Sequence, residues 1–150
     1  MFRESIIILA LTLLVALAVF SATPAKKAGE KESVKNIYEI FNGGNALFLD
    51  ARPFKQYAEG HFPGAINLPV HEENGTDLLF KLEDMLQSAP RLVVYCTGIG
   101  CGLSDILAEK LVEIGVPREK IIVFEGGMDA WEQARYPVST DTEFQKSLQQ

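Results

Sequence analysis

One stretch decides the fold: residues 91–96 read Arg-Leu-Val-Val-Tyr-Cys, and residues 97–104 read Thr-Gly-Ile-Gly-Cys-Gly-Leu-Ser. The first part is apolar at successive positions, as expected of a central parallel strand buried on both faces. The second part is a glycine-rich loop, and residues 104–114 follow with apolar side chains at helical spacing. Gly115 and Pro117 then end the helix. The stretch therefore predicts a strand, a loop and a helix in immediate succession.

The flanking sequence repeats this alternation of strands and helices. Short apolar runs predict strands over 46–50, 65–68 and 120–124. Ser33 can cap a helix that Gly43-Gly44 ends, and Pro53 can start a second helix that Gly60 stops. Apolar spacing predicts further helices over 76–88 and 128–134. Strands that alternate with helices indicate a three-layer α/β domain with a parallel sheet.

Composition restricts the function. The chain has 150 residues, 47% of them hydrophobic, with 14 Lys+Arg against 20 Asp+Glu and a formal net charge of −6. This composition suits one globular domain with a sizeable core. No cluster of cations indicates nucleic-acid binding, so no nucleic-acid partner is expected. Two cysteines are too few for a disulfide-rich scaffold, although they suffice for one bond or one reactive pair.

The N-terminus has the pattern of an export signal. Arg3 precedes residues 5–22, which carry no charge and are mostly apolar. Signal peptides have apolar regions of about 7–15 residues, whereas membrane-spanning helices need about 17–25. Residues 1–22 are thus expected to be a cleaved signal peptide or a membrane anchor, and residues 23–32 a tether. Either alternative predicts an extracytoplasmic domain, periplasmic or secreted, which touches a membrane only through an uncleaved leader.

The loop after the central strand is the expected functional site. In a parallel sheet, function gathers where strands end and helices begin. Glycines at 98, 100 and 102 allow backbone amides to turn inward and form an anion-binding nest. Amides and the helix that follows would favour the thiolate of Cys96. The alternative is a small buried apolar residue at a strand end, which free cysteine often is.

Four motifs in order resemble a known family: Asp50-Ala-Arg52, Glu59-Gly-His-Phe-Pro-Gly-Ala-Ile-Asn-Leu-Pro69, Val94-Tyr-Cys96, and Phe124-Glu-Gly-Gly-Met-Asp-Ala-Trp131 followed by Pro137-Val138. They are similar to the rhodanese-homology domain. The resemblance implies a rhodanese-like domain over residues 33–140 with a five-stranded parallel sheet flanked by helices, and a C-terminal tail over 141–150. It also implies a sulfurtransferase in which Cys96 carries a persulfide between a small sulfur donor, thiosulfate or a persulfide, and a thiol acceptor.

The other residues of these motifs have structural interpretations. Asp50 and Arg52 are expected to support the site through a partly buried ion pair, and His61 to hydrogen-bond the backbone of its turn. The sequence has no structural-zinc spacing and no dinucleotide or P-loop signature, so neither a metal nor a cofactor is expected. The loop amides would cradle the transferred sulfur and Ser104 would cap the next helix, giving the site residues Cys96, Thr97, Gly98, Ile99, Gly100, Cys101, Gly102, Leu103 and Ser104.

The loop also departs from the family. Seven residues separate Cys96 from Ser104, more than in the common rhodanese loop, and none is the arginine that usually binds an anionic donor. Asp105, next along the helix, disfavours a strongly acidic thiol. Cys101 leaves three alternatives open. It resolves a Cys96 persulfide, it forms a structural disulfide in a non-catalytic interaction module, or it only lines the pocket. A thiol-redox role for the Cys96/Cys101 pair is a further alternative.

Overall fold

The computed structural model describes residues 32–150. The expected signal peptide or anchor over 1–22 and nearly all of the expected tether lie outside the described residues. Within the described part of the chain, no helix is both long and apolar enough to cross a membrane.

The elements alternate as the sequence predicts. In chain order they are α1 (Val34–Gly43), β1 (Leu47–Asp50), α2 (Phe54–Glu59), β2 (Ile66–Asn67), α3 (Gly75–Lys81), α4 (Glu83–Ser88), β3 (Leu92–Tyr95), α5 (Leu103–Glu113), a 3-10 turn (Arg118–Lys120), β4 (Ile121–Phe124), α6 (Gly127–Gln133) and α7 (Glu143–Leu148). Ser33 accepts a hydrogen bond from the Asn36 amide, and Gly44 ends α1 with φ 64°. Both predicted boundaries of α1 are confirmed.

The sheet is parallel, in the order β2-β1-β3-β4. All four strands predicted from apolar runs are present. The family resemblance implies five strands, whereas residues 32–150 form a sheet of four. Outside these strands, the pairing in the described chain is one isolated antiparallel bridge between His61 and Ser139, too short to be a strand.

Apolar side chains fill both faces of the sheet. Leu92 and Val94 of β3 belong to the core cluster on the face of α3, α4 and α5. The alternate residues Val93 and Tyr95 pack with Trp131 and Ile37 on the opposite face. Because successive strand residues point to opposite faces, the continuous apolar run of β3 serves both layers. The three-layer architecture is confirmed.

One helical prediction needs correction, and one helix was not predicted. The helix expected over 76–88 is two helices, because Leu82 departs from helical geometry with φ −100° and ψ 5°. The break is a kink, since Leu82 and Leu86 stay buried on one side. The expected tail over 141–150 contains α7, which is fixed by a buried side chain. Gln145 accepts a hydrogen bond from the Asn67 amide at 2.8 Å and donates to the Asn67 carbonyl at 2.9 Å.

Candidate active site around Cys96

Cys96 directly follows β3 at the carboxyl edge of the sheet and is 1% exposed. The start of α6 fixes the backbone of Cys96 and of the next residue, Thr97. The Cys96 carbonyl accepts a hydrogen bond from the Met128 amide at 3.0 Å, and the Thr97 carbonyl accepts one from the Asp129 amide at 2.8 Å. Two neighbouring elements, β3 and α6, thus hold the cysteine in place.

Gly127 makes this approach of α6 possible. Its φ is 54°, in the left-handed region that favours glycine. A β-carbon at this position would collide with the Cys96 carbonyl and with the backbone of Thr97. Any other residue would therefore push α6 away from the strand end that carries the cysteine.

The loop from Thr97 to Gly102 is open to solvent on its outer side. The Cys101 amide donates to the Gly98 carbonyl at 3.0 Å, and Gly100 has φ 88° in the turn that results. Ile99 at the tip is 84% exposed. This turn reverses the chain toward the end of β3, and Cys101 therefore lies near Cys96.

The thiol of Cys96 faces the returning loop. Its sulfur donates to the Cys101 carbonyl oxygen at 3.2 Å and lies 3.6 Å from the Ser104 hydroxyl oxygen. Burial raises the pKa of the Cys96 thiol, and the neighbouring Cys101 raises it further, whereas Ser104 acts to lower it. The expectation that loop amides favour a Cys96 thiolate therefore does not hold in this arrangement, because burial outweighs them.

Cys101 has the opposite environment. It is partly exposed and packs against the apolar cluster that contains Cys96, and both cysteines are free. Partial burial alone would raise the pKa of the Cys101 thiol. Hydrogen bonds from the Cys96 thiol and from the Leu103 and Thr97 amides outweigh that effect and lower the pKa. The nest expected around Cys96 is thus directed in large part at Cys101.

Ser104 does not cap α5. The helix begins one residue earlier, at Leu103, and the cap residue is Gly102, which offers no side-chain hydrogen bond. The Ile106 amide bonds to the Gly102 carbonyl at 3.1 Å, so Ser104 already belongs to the first turn. Its buried hydroxyl is directed at Cys96 instead of a backbone amide.

Asp50 and Arg52 lie at the carboxyl end of β1 and are both buried. The Arg52 Nη2 atom lies 2.6 Å from Asp50 Oδ2, and Arg52 Nε lies 3.0 Å from Asp50 Oδ1. The Asp50 carboxylate also accepts a bond from the Arg52 amide at 2.9 Å, and Arg52 Nη2 donates to the Gly60 carbonyl at 2.6 Å. Through Nε and Nη2, the guanidinium joins β1 to the end of α2.

Two further residues to place are His61 and Asp129. The buried His61 ring places Nδ1 2.8 Å from the Tyr57 carbonyl oxygen, as the expected backbone bond requires. Sequence reasoning assigned no role to Asp129, whose carboxylate lies against Gly98. Its position in the quoted Phe124–Trp131 motif was the available signal. In residues 32–150, no group of three or more His, Cys, Asp or Glu is arranged to hold a metal ion.

Comparisons with known proteins identify the family of this domain. A family model of the rhodanese-like domain matches residues 33–134. An HTH-type transcriptional regulator of Mycobacterium tuberculosis is 30% identical over 95 residues, which are 63% of this chain and 38% of the regulator. The adenylyltransferase and sulfurtransferase UBA4 of Meyerozyma guilliermondii is 28% identical over 102 residues, 68% of this chain and 23% of that protein. The chain thus spans well under half the length of these relatives.

Solved structures share the fold. The Alr3790 protein from Anabaena sp. superposes with a TM-score of 0.61 at 20% identity, over 79% of this chain and 88% of that one. Thiosulfate sulfurtransferase from Pseudomonas aeruginosa gives a TM-score of 0.57 at 23% identity, over 73% of this chain and 20% of that one. Parallel sheet, motif order and family model agree, and the chain belongs to the rhodanese-like domain family.

Proposed function

We propose that this chain is an exported rhodanese-like sulfurtransferase in which Cys96 carries a sulfane sulfur as a persulfide to a thiophilic acceptor. The observation that carries the proposal is the position of Cys96, at the end of the central strand where the loop and the start of α5 meet. Sulfurtransferase-related relatives of this domain support it. In the reaction, the Cys96 thiolate attacks the outer sulfur of the donor, and the rest of the donor leaves, as a thiolate from a persulfide or as sulfite from thiosulfate. An acceptor thiolate then attacks the outer sulfur of the persulfide and releases Cys96.

A persulfide suits this site better than thiosulfate as the donor. The loop from Thr97 to Gly102 has no charged side chain, and Asp105 and Asp129 lie beside it. The guanidinium of Arg52 is engaged by Asp50 and the Gly60 carbonyl. A dianion would therefore meet no free cation on the loop, and the nearby carboxylates would repel it.

The test is a steady-state transfer assay with the purified full-length chain. We expect turnover with glutathione persulfide as donor and a thiol as acceptor. We expect kcat/KM for thiosulfate to be at least about tenfold lower, because both charges of thiosulfate lie on the reacting group, whereas the carboxylates of glutathione lie far from the outer sulfur. Cys96→Ser should strongly lower transfer to the acceptor while circular dichroism stays unchanged. Equal transfer by Cys96→Ser and wild type would exclude Cys96 as the carrier.

The two free thiols favour one second candidate, a thiol-redox protein. Cys96 and Cys101 lie in one loop, and their thiols interact. A dithiol of this kind can exchange with a partner disulfide, becoming oxidised as the partner is reduced. Reduction of a disulfide substrate without any sulfur transfer from either donor would favour this candidate. Loss of both activities would instead favour a non-catalytic interaction module.

Export is tested separately, because the described residues do not include the leader. We expect the full-length chain, expressed in a bacterium, to be recovered outside the cytoplasm. N-terminal sequencing then distinguishes the two alternatives for residues 1–22. A new N-terminus near residue 22 indicates cleavage, whereas an intact leader in the membrane fraction indicates an anchor. Recovery of the intact chain in the cytoplasm would contradict export.

A further inference from the structure

The two cysteines of the site differ in how a donor can reach them. Cys96 is 1% exposed, below the surface at the strand end. Cys101 is partly exposed, and its neighbours Gly100 and Gly102 are exposed too. Ile99, at the tip of the same loop, is 84% exposed. A donor that approaches from solvent therefore meets Cys101 before Cys96.

The contacts and burial of the two cysteines show which of them lies deeper in the site. The Cys96 thiol donates to the Cys101 carbonyl at 3.2 Å, which places its sulfur against the backbone of the residue that carries the second thiol. Cys101 also belongs to the side chains packed on the cluster around Cys96. The two cysteines are thus neighbours, one buried and one partly exposed.

We propose that Cys101 is the loading thiol of this site and that the sulfur then moves inward to Cys96. This inference rests on the proposed sulfurtransferase function and adds a catalytic residue to it. In the first step, the Cys101 thiolate attacks the outer sulfur of a low-molecular-weight persulfide, which departs as a thiolate. In the second step, the Cys96 sulfur attacks the outer sulfur of the Cys101 persulfide, and the Cys96 proton passes to the departing Cys101 sulfur. The outer sulfur changes carrier, no disulfide forms and no external oxidant or reductant is consumed.

The local chemistry favours this order of steps. Exchange at sulfur is faster when the attacking thiol forms its thiolate easily and when the leaving thiol has a low pKa. Hydrogen bonds from Cys96 and from the Leu103 and Thr97 amides lower the pKa of Cys101, although partial burial opposes them. Cys101 is accordingly the better first nucleophile and the better leaving group in the inward transfer. Cys96 then holds the persulfide away from solvent.

The test follows loading in the full-length chain, its Cys101→Ser variant and its Cys96→Ser variant. Each is reduced, mixed with glutathione persulfide, quenched with iodoacetamide at short times and analysed by mass spectrometry. A gain of one sulfur adds about 32 Da. Fragment ions that divide the chain between Thr97 and Gly100 show which cysteine carries it. We expect the sulfur on Cys96 in the wild type and on Cys101 in Cys96→Ser. Cys101→Ser should load Cys96 about tenfold more slowly, because the buried thiol must react directly.

Three results would overturn the relay. If Cys101→Ser loads Cys96 at the wild-type rate, Cys96 is loaded directly and the proposed sulfurtransferase function still stands. If the wild type releases sulfide and loses about 2 Da, the second thiol attacks the inner sulfur and closes a disulfide. Absence of sulfur from both cysteines in all three proteins would instead contradict the sulfurtransferase function itself, and the relay with it.

A measurement without variants supplies a second readout. Iodoacetamide modifies thiolates, so the cysteine with the lower pKa is labelled at lower pH. The pKa of Cys101 is lowered and that of Cys96 is raised. As the pH rises toward neutrality, native wild-type protein should be labelled at Cys101 well before Cys96. Earlier labelling of Cys96 would contradict the assignment of Cys101 as the loading thiol.

Discussion

Two loops at the same edge of the sheet are built on opposite principles. The segment after β1, from Asp50 to Arg52, is buried and locked by a bidentate ion pair that also bonds backbone. The loop after β3, from Thr97 to Gly102, has no charged side chain and one internal backbone hydrogen bond, from Cys101 to Gly98. Both segments lie at the ends of central strands. An ion pair holds the segment at the end of β1 in place, whereas the loop after β3 has no charged side chain.

The two segments differ in what their polar groups contact. In the β1 segment, polar groups bond one another: Arg52 engages Asp50 and the Gly60 carbonyl, and the side-chain amide nitrogen of Asn67 donates to the carbonyls of Asp50 and Arg52. In the β3 loop, backbone amides and two thiols are left to interact with each other and with a ligand. Arg52 is therefore held by the first segment, and the loop from Thr97 to Gly102 contributes no cation of its own.

The largest effect on stability should come from the β1 segment. Arg52→Ala leaves the buried Asp50 carboxylate without its partner, and breaking a buried pair in this way costs about 3–5 kcal/mol of unfolding free energy. Urea denaturation of the full-length chain measures it. As a matched control, Lys110→Ala removes the exposed pair with Glu113 and should cost less than about 1 kcal/mol. Equal losses in the two variants would contradict the assigned role of the Asp50–Arg52 pair.

A smaller effect is expected at the junction of α6 with the β3 loop. Gly127→Ala places a β-carbon against the Cys96 carbonyl at a positive φ, and we expect a loss of about 3 kcal/mol. Gly44→Ala has a similar φ of 64° but meets nothing within 4 Å. This control should cost only about 1 kcal/mol, the strain of the left-handed conformation alone. If the two variants unfold alike, the close approach of α6 to Cys96 is not important for stability.

The smallest effect concerns donor choice. Ile99→Arg supplies a cation at the exposed tip of the β3 loop, where the side chain contributes little to the core. One exposed charge interaction of about 1 kcal/mol should raise kcat/KM for thiosulfate about fivefold and that for glutathione persulfide by less, because the carboxylates of glutathione lie farther from the reacting sulfur. Ile99→Gln is the neutral control of similar length. An unchanged preference between donors in Ile99→Arg would show that the missing cation does not explain the selectivity.

The sequence predicted the elements whose signals are local. The apolar run of β3, the Ser33 cap and the Gly44 end of α1 each depend on neighbours in the chain, and all three appear where expected. The α7 helix was missed because it has few apolar residues. It is held by Gln145 against Asn67, a contact between residues far apart in sequence. The spacing of apolar residues along the sequence does not indicate such a contact.

The site was predictable in its position but not in its electrostatics. The glycine pattern and strand end located Cys96 and its loop. The relation between the two thiols depends on the path of the turn at Gly100 and on the depth of Cys96 below the surface. Spacing alone also misplaced Ser104, because Gly102 takes the cap position and shifts the start of α5 by one residue. These features arise from tertiary packing and not from the order of residue types.

The most direct test of the central claim is the location of the transferred sulfur in the wild-type full-length chain. After reduction, exposure to glutathione persulfide and alkylation, the protein should carry one additional sulfur of about 32 Da, located by fragmentation on Cys96 and removed by a thiol. That result would establish Cys96 as the sulfur carrier. A chain that gains no sulfur on Cys96 under these conditions would contradict the account and leave the rhodanese-like fold without its proposed chemistry.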